Sequence, residues 1–329
     1  MVYLNRRNGN GSVEMGERMD FRELNYVLAL AKQQSITKAA EALYIGQPTL
    51  SKFLITLEDN LGLKLFRKVG NKYMLTYAGE RYVEKATQIL QMKNDLDAEM
   101  ADIMKRDVGV LNVAFANMRC TYMLPCTLPD FKKLHPNVKV NIFEGTSDEN
   151  DRRLLDGQVD VAFYSKPGST NSHIEYETLW EEELLVCTSK DHPLGRFAKP
   201  NPASQYPKLD PALLKNELIL LMMPEQRTRQ IIEDYFHDHN LKFEAIIDTS
   251  NMPAIIELVS MGYGVSFIFE SHLRRRADKF SIDCFSFGEP RVVSDFVAAY
   301  RKGGYISNYT RDFIEIARRA GTAAPENGE

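Results

Sequence analysis

Cysteine is scarce in this sequence. Cys120, Cys126, Cys187 and Cys284 are the four in 329 residues, too few for a disulfide scaffold to hold a chain this long. Long apolar runs are missing as well: LILLMM at 218–223 falls far short of the roughly 20 residues a membrane helix needs. The first residues, MVYLNRRNGNGSVEMGER, carry arginines but no apolar core behind them, so they do not read as an export signal. Residues 1–18 are expected to form a disordered leader, with Met19 a candidate start, and the chain is expected in the cytoplasm. The six histidines are scattered, and His237 and His239, two apart on an expected helix, point to different faces and make a poor chelate. No GxSxG elbow occurs, and GYGVSF at 262–267 lacks the third glycine of a dinucleotide fingerprint. The expectation is therefore no enzyme, no cofactor and no metal. Positive charge is also short: the net charge is −4, which taken as an average speaks against nucleic acid.

The average hides a local excess. KLFRKVGNK at 64–72 carries Lys64, Arg67, Lys68 and Lys72 with no acidic residue, whereas WEEELL at 180–185 is acidic. Any nucleic-acid contact is thus confined to the N-terminal part. At 44% hydrophobic and 26% charged residues the chain is globular, and its length predicts two or three domains.

Phe21, Leu24, Val27, Leu28 and Ala31 recur at helical spacing and predict a helix ending near Gln33 and Gln34. Ser35 or Thr37 can cap a short second helix whose buried face is Ala39, Ala40 and Leu43. At IGQP, Gly46 suits the N-cap of a third helix and Pro48 its first turn, where a missing N–H costs nothing. That helix buries Leu50, Leu54, Leu57 and Leu61, and Gly62 closes it. A β-hairpin follows, with Gly70 and Asn71 in its turn. Thr76 then caps a long helix in which Tyr82, Ala86, Ile89, Lys93, Leu96, Met100 and Ile103 form a heptad seam with one charged interruption, the pattern of self-pairing. Gly109 is expected to end it.

Beyond that point strands alternate with helices: VLNVAF, YMLPCTLPDFKKLH, VKVNIFEG, SDENDRRLLDG, VDVAFY, and so on to NYTRDFIEIARRA. This alternation predicts a parallel sheet covered on both faces. Cys120 and Cys126 fall on the first of these helices, where thiols pack, and the basic run HLRRRAD at 272–278 reads as a solvated helix end.

Residues 21–62 have the layout of a helix-turn-helix, with Gln47, Pro48, Thr49, Ser51 and Lys52 on the first turns of the third helix. Side chains there reach base edges in the major groove. Ser35 and Thr37, opening the short helix, join the candidate DNA contacts, and Arg67, Lys68 and Lys72 suit a wing on phosphates. The wing weighs against the alternative, a small packing module with a solvated polar face.

Residues 35–79 resemble the signature of the LysR-type transcriptional regulators: AA..L in the short helix, then QP.LS, LE..LG..LF and LT..AG. Looser matches continue at LP.F...HP.V, EG....L..LLDG.VDVAF, DHPL and IELVSMGYGVS, to about Ala320. The resemblance implies an α/β chain with an N-terminal winged helix-turn-helix (19–78), a long dimerising linker helix (79–106) and a two-lobed periplasmic-binding-protein-like effector domain (107–320). Lobe I is expected at about 109–182 and 287–320, lobe II at about 183–286, and a flexible tail at 321–329. It implies a sequence-specific regulator whose DNA-bound arrangement is set by a small organic effector, such as a carboxylate, bound between the lobes. Expected partners are double-stranded promoter DNA, a second copy or a homotetramer, and RNA polymerase as a further candidate. The chain departs from the family at Gly46, commonly Ser, and at Phe53, Ile55 and Thr56, commonly polar or basic.

Both fold logic and the resemblance point to the loops after strands for the effector: Asn117, Met118, Thr146, Ser147, Ser165, Asn251 and Met252. The competing reading is a solute-binding module of a transport system, against which the missing export signal counts.

Overall fold

The computed structural model describes residues 20–104, 108–116, 119–243, 246–273 and 281–322. The expected leader, the last residues of the tail, Asn117, Met118 and most of HLRRRAD lie outside them. The chain divides into two compact units, with the division falling after Asn94.

In the first unit, α1 (Phe21–Gln33) opens on an Asp20–Glu23 capping box and closes with Gln34 in the left-handed region. Helix α2 (Ile36–Ala42) is capped by Ser35. Helix α3 (Gln47–Leu61) starts at Gly46, has Pro48 in its first turn, and ends at Gly62 with φ 63°. Leu24, Val27 and Leu30 of α1, Ala39 and Ala40 of α2, and Leu50 and Leu54 of α3 are buried. The two alanines allow α2 to approach closely. Strands β1 (Phe66–Val69) and β2 (Lys72–Leu75) pair antiparallel through a two-residue turn, Val69 opposite Lys72.

One buried charge joins α3 to this hairpin. Glu58 is 6% exposed, and its Oε1 accepts from the backbone N–H groups of Leu65 and Phe66 at 2.9 and 3.0 Å. Its Oε2 lies 2.9 Å from Lys64 Nζ. Thr76 caps α4 (Tyr77–Ile103) by accepting from Gly79 N–H, and its own hydroxyl donates to Lys64 O at 2.6 Å. A Cβ at Gly79 would stand 2.0 Å from Leu65 O, so only glycine fits this approach. Along α4, Met92, Leu96, Met100 and Ile103 are exposed.

The second unit carries a nine-stranded sheet in the order β4-β3-β5-β11-β6-β9-β7-β8, with β10 on β6. Gly109 opens β3 (Gly109–Ala116) rather than ending α4, which stops at Ile103. Strand β3 pairs parallel with β4 (Val138–Gly145) and β5 (Val161–Ser165). Likewise β7 (Ile219–Met222) pairs parallel with β8 (Ile246–Thr249) and β9 (Val265–Phe269). The sheet is not parallel throughout, however. Strand β6 (Ile174–Ser189) is 16 residues long and antiparallel to β11 (Val293–Arg301) over its first part. Beyond Glu183 it is antiparallel to β9 and to β10 (Ile282–Phe285). One continuous strand thus serves both lobes, which alternation of strands and helices alone does not reveal.

Each lobe is covered on both faces. In the first, α5 (Arg119–Leu134) and α10 (Asn308–Thr322) cover Leu111, Val113, Phe115 and Phe163, while α6 (Ser147–Leu155) covers Ala114, Ala162 and Val297. In the second, Leu184 and Val186 of β6 pack with Ile232 and Phe236 of α7 (Arg227–Asp238). Leu185 and Cys187 pack with Ile255 and Val259 of α8 (Met252–Ser260). This is the two-residue period of a strand buried on both sides. The short α9 (Glu270–Leu273) follows β9.

Glu58→Leu keeps the helix but leaves two N–H groups without an acceptor, at about 1–3 kcal/mol each. Hydrogen exchange of the full chain should show the Leu65 and Phe66 amides losing about 100-fold of protection, with α1 amides changing less. Unchanged protection at those two amides would refute the role given to Glu58.

Candidate functional site: a polar helix face and an interlobe cleft

Two separate places collect the candidate residues. On the first unit, Gln47, Pro48, Thr49 and Lys52 are exposed and Ser51 is half-buried on the first turns of α3, whose Leu50 and Leu54 are buried. Thr37 is exposed on α2, and Ser35 accepts from Lys38 N–H as its cap. Arg67, Lys68 and Lys72 stand exposed on the hairpin. Phe53 belongs to the core margin, edge-on to Tyr26 at 5.1 Å, whereas Ile55 faces solvent. Thr56 donates to Lys52 O within α3.

In the second unit, the carboxyl ends of the parallel strands converge on a cleft with about 440 Å³ of empty space, counted out to open solvent. Ala116, Arg119, Ser147, Tyr164 and Ser165 line it from one lobe; Met222, Gln226, Arg227, Thr228, Met252 and His272 line it from the other. Of the effector residues expected from sequence, Ser147, Ser165 and Met252 are therefore at the cleft. Thr146 and Asn251 are not among the lining residues. Thr146 is the N-cap of α6, in a capping box with Glu149, and Asn251 caps α8 by accepting from Ala254 N–H at 3.2 Å.

Sequence reasoning missed the charged heart of this cleft. Arg119 is 3% exposed and Glu182 fully buried, and the two meet in a bidentate ion pair, Nη1 to Oε2 at 2.8 Å and Nη2 to Oε1. Nη1 also donates to Ser271 Oγ at 2.7 Å, and Nη2 to Ser165 Oγ at 2.7 Å. Ser165 donates to Glu182 in turn, at 2.9 Å, as does Ser271. The guanidinium lies over the Phe296 ring at 4.7 Å. Burial pulls the Arg119 pKa down, but the adjacent Glu182 carboxylate more than offsets it, and the net shift is upward. His272 is driven well below its ordinary value by burial and by the Arg119 charge, so it is neutral at pH 7. Glu182 stands in WEEELL, which as a string resembles a solvated acidic patch. The available signal was its place inside the apolar strand that follows.

Other side chains here are already engaged. Tyr164 and Tyr176 both donate to Asp151. Cys120 is buried, and burial followed by the nearby Glu144 pushes its thiol up to about 12, far from the thiolate a reactive cysteine needs. Cys187 and Cys284, opposite one another on β6 and β10, have sulfurs 3.5 Å apart and are not bonded. Among the described residues no cluster of three or more His, Cys, Asp or Glu could hold a metal ion, and no helix is long and apolar enough to cross a membrane.

Comparison with known proteins agrees with this division. The family model described as the lysR family of bacterial regulatory helix-turn-helix proteins matches residues 21–80, and that of the LysR substrate binding domain matches residues 105–322. The transcriptional activator CmpR of Synechocystis is 28% identical over 73% of this chain and 75% of its own. The regulator CysB of Haemophilus influenzae is 25% identical over 90% of this chain and 89% of its own. Among solved structures, a full-length OxyR variant from Pseudomonas aeruginosa superposes with a TM-score of 0.70 at 23% identity, covering 94% of this chain and 96% of that one. Full-length CbnR in complex with its target DNA gives 0.57 at 23%, covering 92% and 100%. These two structures speak for the fold.

Arg119→Met strands the Glu182 carboxylate in the interior, at about 3–5 kcal/mol. Trp180, the single tryptophan, stacks on Phe296 with ring centres 4.3 Å apart, so its fluorescence in urea reports this unit. The single variant should unfold at clearly lower urea, and Arg119→Met with Glu182→Leu should recover most of the loss. Equal midpoints for the single variant and the parent would sink the assignment.

Proposed function

We propose, for a chain that belongs to the LysR family of DNA-binding transcriptional regulators, that residues 19–78 read DNA through α3. Gln47, Thr49 and Ser51 approach base edges, and Lys52, Ser35 and Thr37 reach bases or the adjoining backbone. Arg67, Lys68 and Lys72 of the hairpin neutralise phosphates. The observation that carries this reading is the segregation on α3: Leu50 and Leu54 are buried while Gln47, Thr49 and Lys52 are exposed, in a unit whose hairpin carries three exposed cations. Gly46 supplies no side-chain cap bond, so one hydroxyl available for a phosphate is absent at the helix start.

Residues 79–106 act as the dimerising linker, because Leu96, Met100 and Ile103 leave an apolar row uncovered on α4. A dimer calls for two related half-sites about one helical turn apart, or a multiple of it, and two dimers make the tetramer. Residues 107–320 bind a small organic effector in the interlobe cleft, with Ser147, Ser165 and Met252 on its walls and Asn117, Met118, Thr146 and Asn251 nearby in sequence. The effector acts by preferring one lobe arrangement over the other. The chain works in the cytoplasm and performs no chemical step. A transport module would leave the N-terminal DNA-facing set without a purpose.

Gel shifts on the protein's own upstream DNA across a salt series test this. Thr49→Ala should narrow the gap between specific and non-specific DNA by about tenfold. Lys68→Ala should weaken all sequences alike and flatten the salt slope by about one. Absence of binding to any promoter fragment at low salt would overturn the reading. Leu96→Glu should convert dimers to monomers in sedimentation; an unaltered mass would remove α4 from the interface.

A further inference from the structure

The reading of the cleft as the effector site leaves the chemistry of the effector open, and the following inference rests on that reading. Helices α6 and α8 open toward the cleft with their own caps, Thr146 and Asn251. Helix α7, 12 residues long, does not: its N-cap Gln226 makes no side-chain cap bond. The first-turn N–H groups of Arg227, Thr228 and Arg229 have no intrahelical acceptor, as in any helix. They carry the positive end of the helix dipole.

A second observation points to a ligand at this end. Gln226 is 9% exposed and lines the cleft, yet among the described residues its side-chain amide has no hydrogen-bond partner. The amide is left to the solvent of the cleft, free to donate to whatever enters it. Beside it stands Arg227. Arg229, two residues on, is paired with both Glu233 and Asp248, but Arg227 makes no ion pair among the described residues. Its Nε donates to Lys166 O at 3.0 Å and Nη1 to Gln230 Oε1 at 3.4 Å. Burial draws its pKa down, only partly countered by the charge of Asp234, as expected of a cation losing water without gaining an anion.

The charges around the cleft decide how many negative charges it can hold. Arg119 is balanced by Glu182, His272 is neutral, and among the described residues no carboxylate lines the cleft. Among the described lining residues, one positive charge remains, on Arg227. We propose that the cleft takes a small organic monocarboxylate, seated on the N-terminus of α7 with Arg227 as counter-cation and the Gln226 amide as a further donor. A dicarboxylate or a phosphate dianion would bring a second negative charge into a partly desolvated site with nothing among the described residues to balance it. The rest of the molecule lies against Met222 and Met252, within reach of Ser147. Because Arg227 belongs to α7 in one lobe and its Nε holds the backbone of Lys166 after β5 in the other, the anion sits where the lobes are already clasped.

The test uses full-length protein with ¹³C-labelled methionine methyls, Met222 and Met252 being assigned through M222L and M252L. Probes are acetate, butyrate and lactate, their neutral amides, succinate and inorganic phosphate. The acids should shift both methyls with affinities at least tenfold above their amides and above succinate and phosphate. Arg227→Gln should erase the preference for acid over amide, and Arg227→Lys should keep part of it, excluding a mere folding defect. If amides shift the methyls as strongly as acids, or if the dianions bind tighter, the monocarboxylate inference fails while the cleft remains the effector site. If the acids raise the melting temperature without moving either methyl, the cleft reading itself fails and the inference falls with it. Silence from every probe in both measurements also overturns it.

Discussion

A guanidinium shut away from water must find its counter-charge and hydrogen-bond acceptors inside the protein, and Arg119 finds both in Glu182. The pair joins α5 and β5 of one lobe to the middle of β6 and to α9 of the other, through Ser165 and Ser271. Replacing both charges with apolar groups need not weaken such an interior, so the pair is better understood as fixing an arrangement. Glu182 immediately precedes Glu183 and Leu184, where β6 exchanges β11 for β9 as its partner. The network therefore sits at the passage between lobes.

The cleft follows from the same topology. Parallel strands present their carboxyl ends, and the next helix N-termini, on one side of a sheet, and the two parallel parts of this sheet, joined through β6, turn those sides toward a common space. What distinguishes the helix starts is how each handles its spare N–H groups. Thr146 and Asn251 keep those of α6 and α8 within the chain, whereas Gln226 leaves those of α7 to whatever enters.

Local order was legible in the sequence. The 3.6-residue recurrence of Leu24, Val27, Leu50 and Leu54, the caps at Ser35 and Thr76, and Gly46 followed by Pro48 depend on neighbours a few residues away, and they gave the elements of the first unit. Alternation of strand and helix gave the second unit, but not the antiparallel runs of β6 and β11, because pairing partners more than 100 residues apart leave no local trace. Glu58 and Glu182 were hidden because burial, unlike periodicity, is not written in the residue itself. A buried glutamate differs from a solvated one only in what the rest of the chain brings to it: the N–H groups of Leu65 and Phe66 for one, Arg119 for the other. Arg227 was similarly unreadable, since what marks it is the absence, among the described residues, of an ion-pair partner such as Arg229 possesses.

Glu58 carries one further consequence. A single carboxylate, rooted in α3, receives the two N–H groups at the start of the hairpin, so helix and hairpin form one rigid ruler. On the DNA contacts proposed above, the gap between the exposed residues opening α3 and the cations at Arg67 and Lys68 is then calibrated within a single subunit. Regulation that rearranges subunits can change the distance between half-sites while leaving the width of each unaltered.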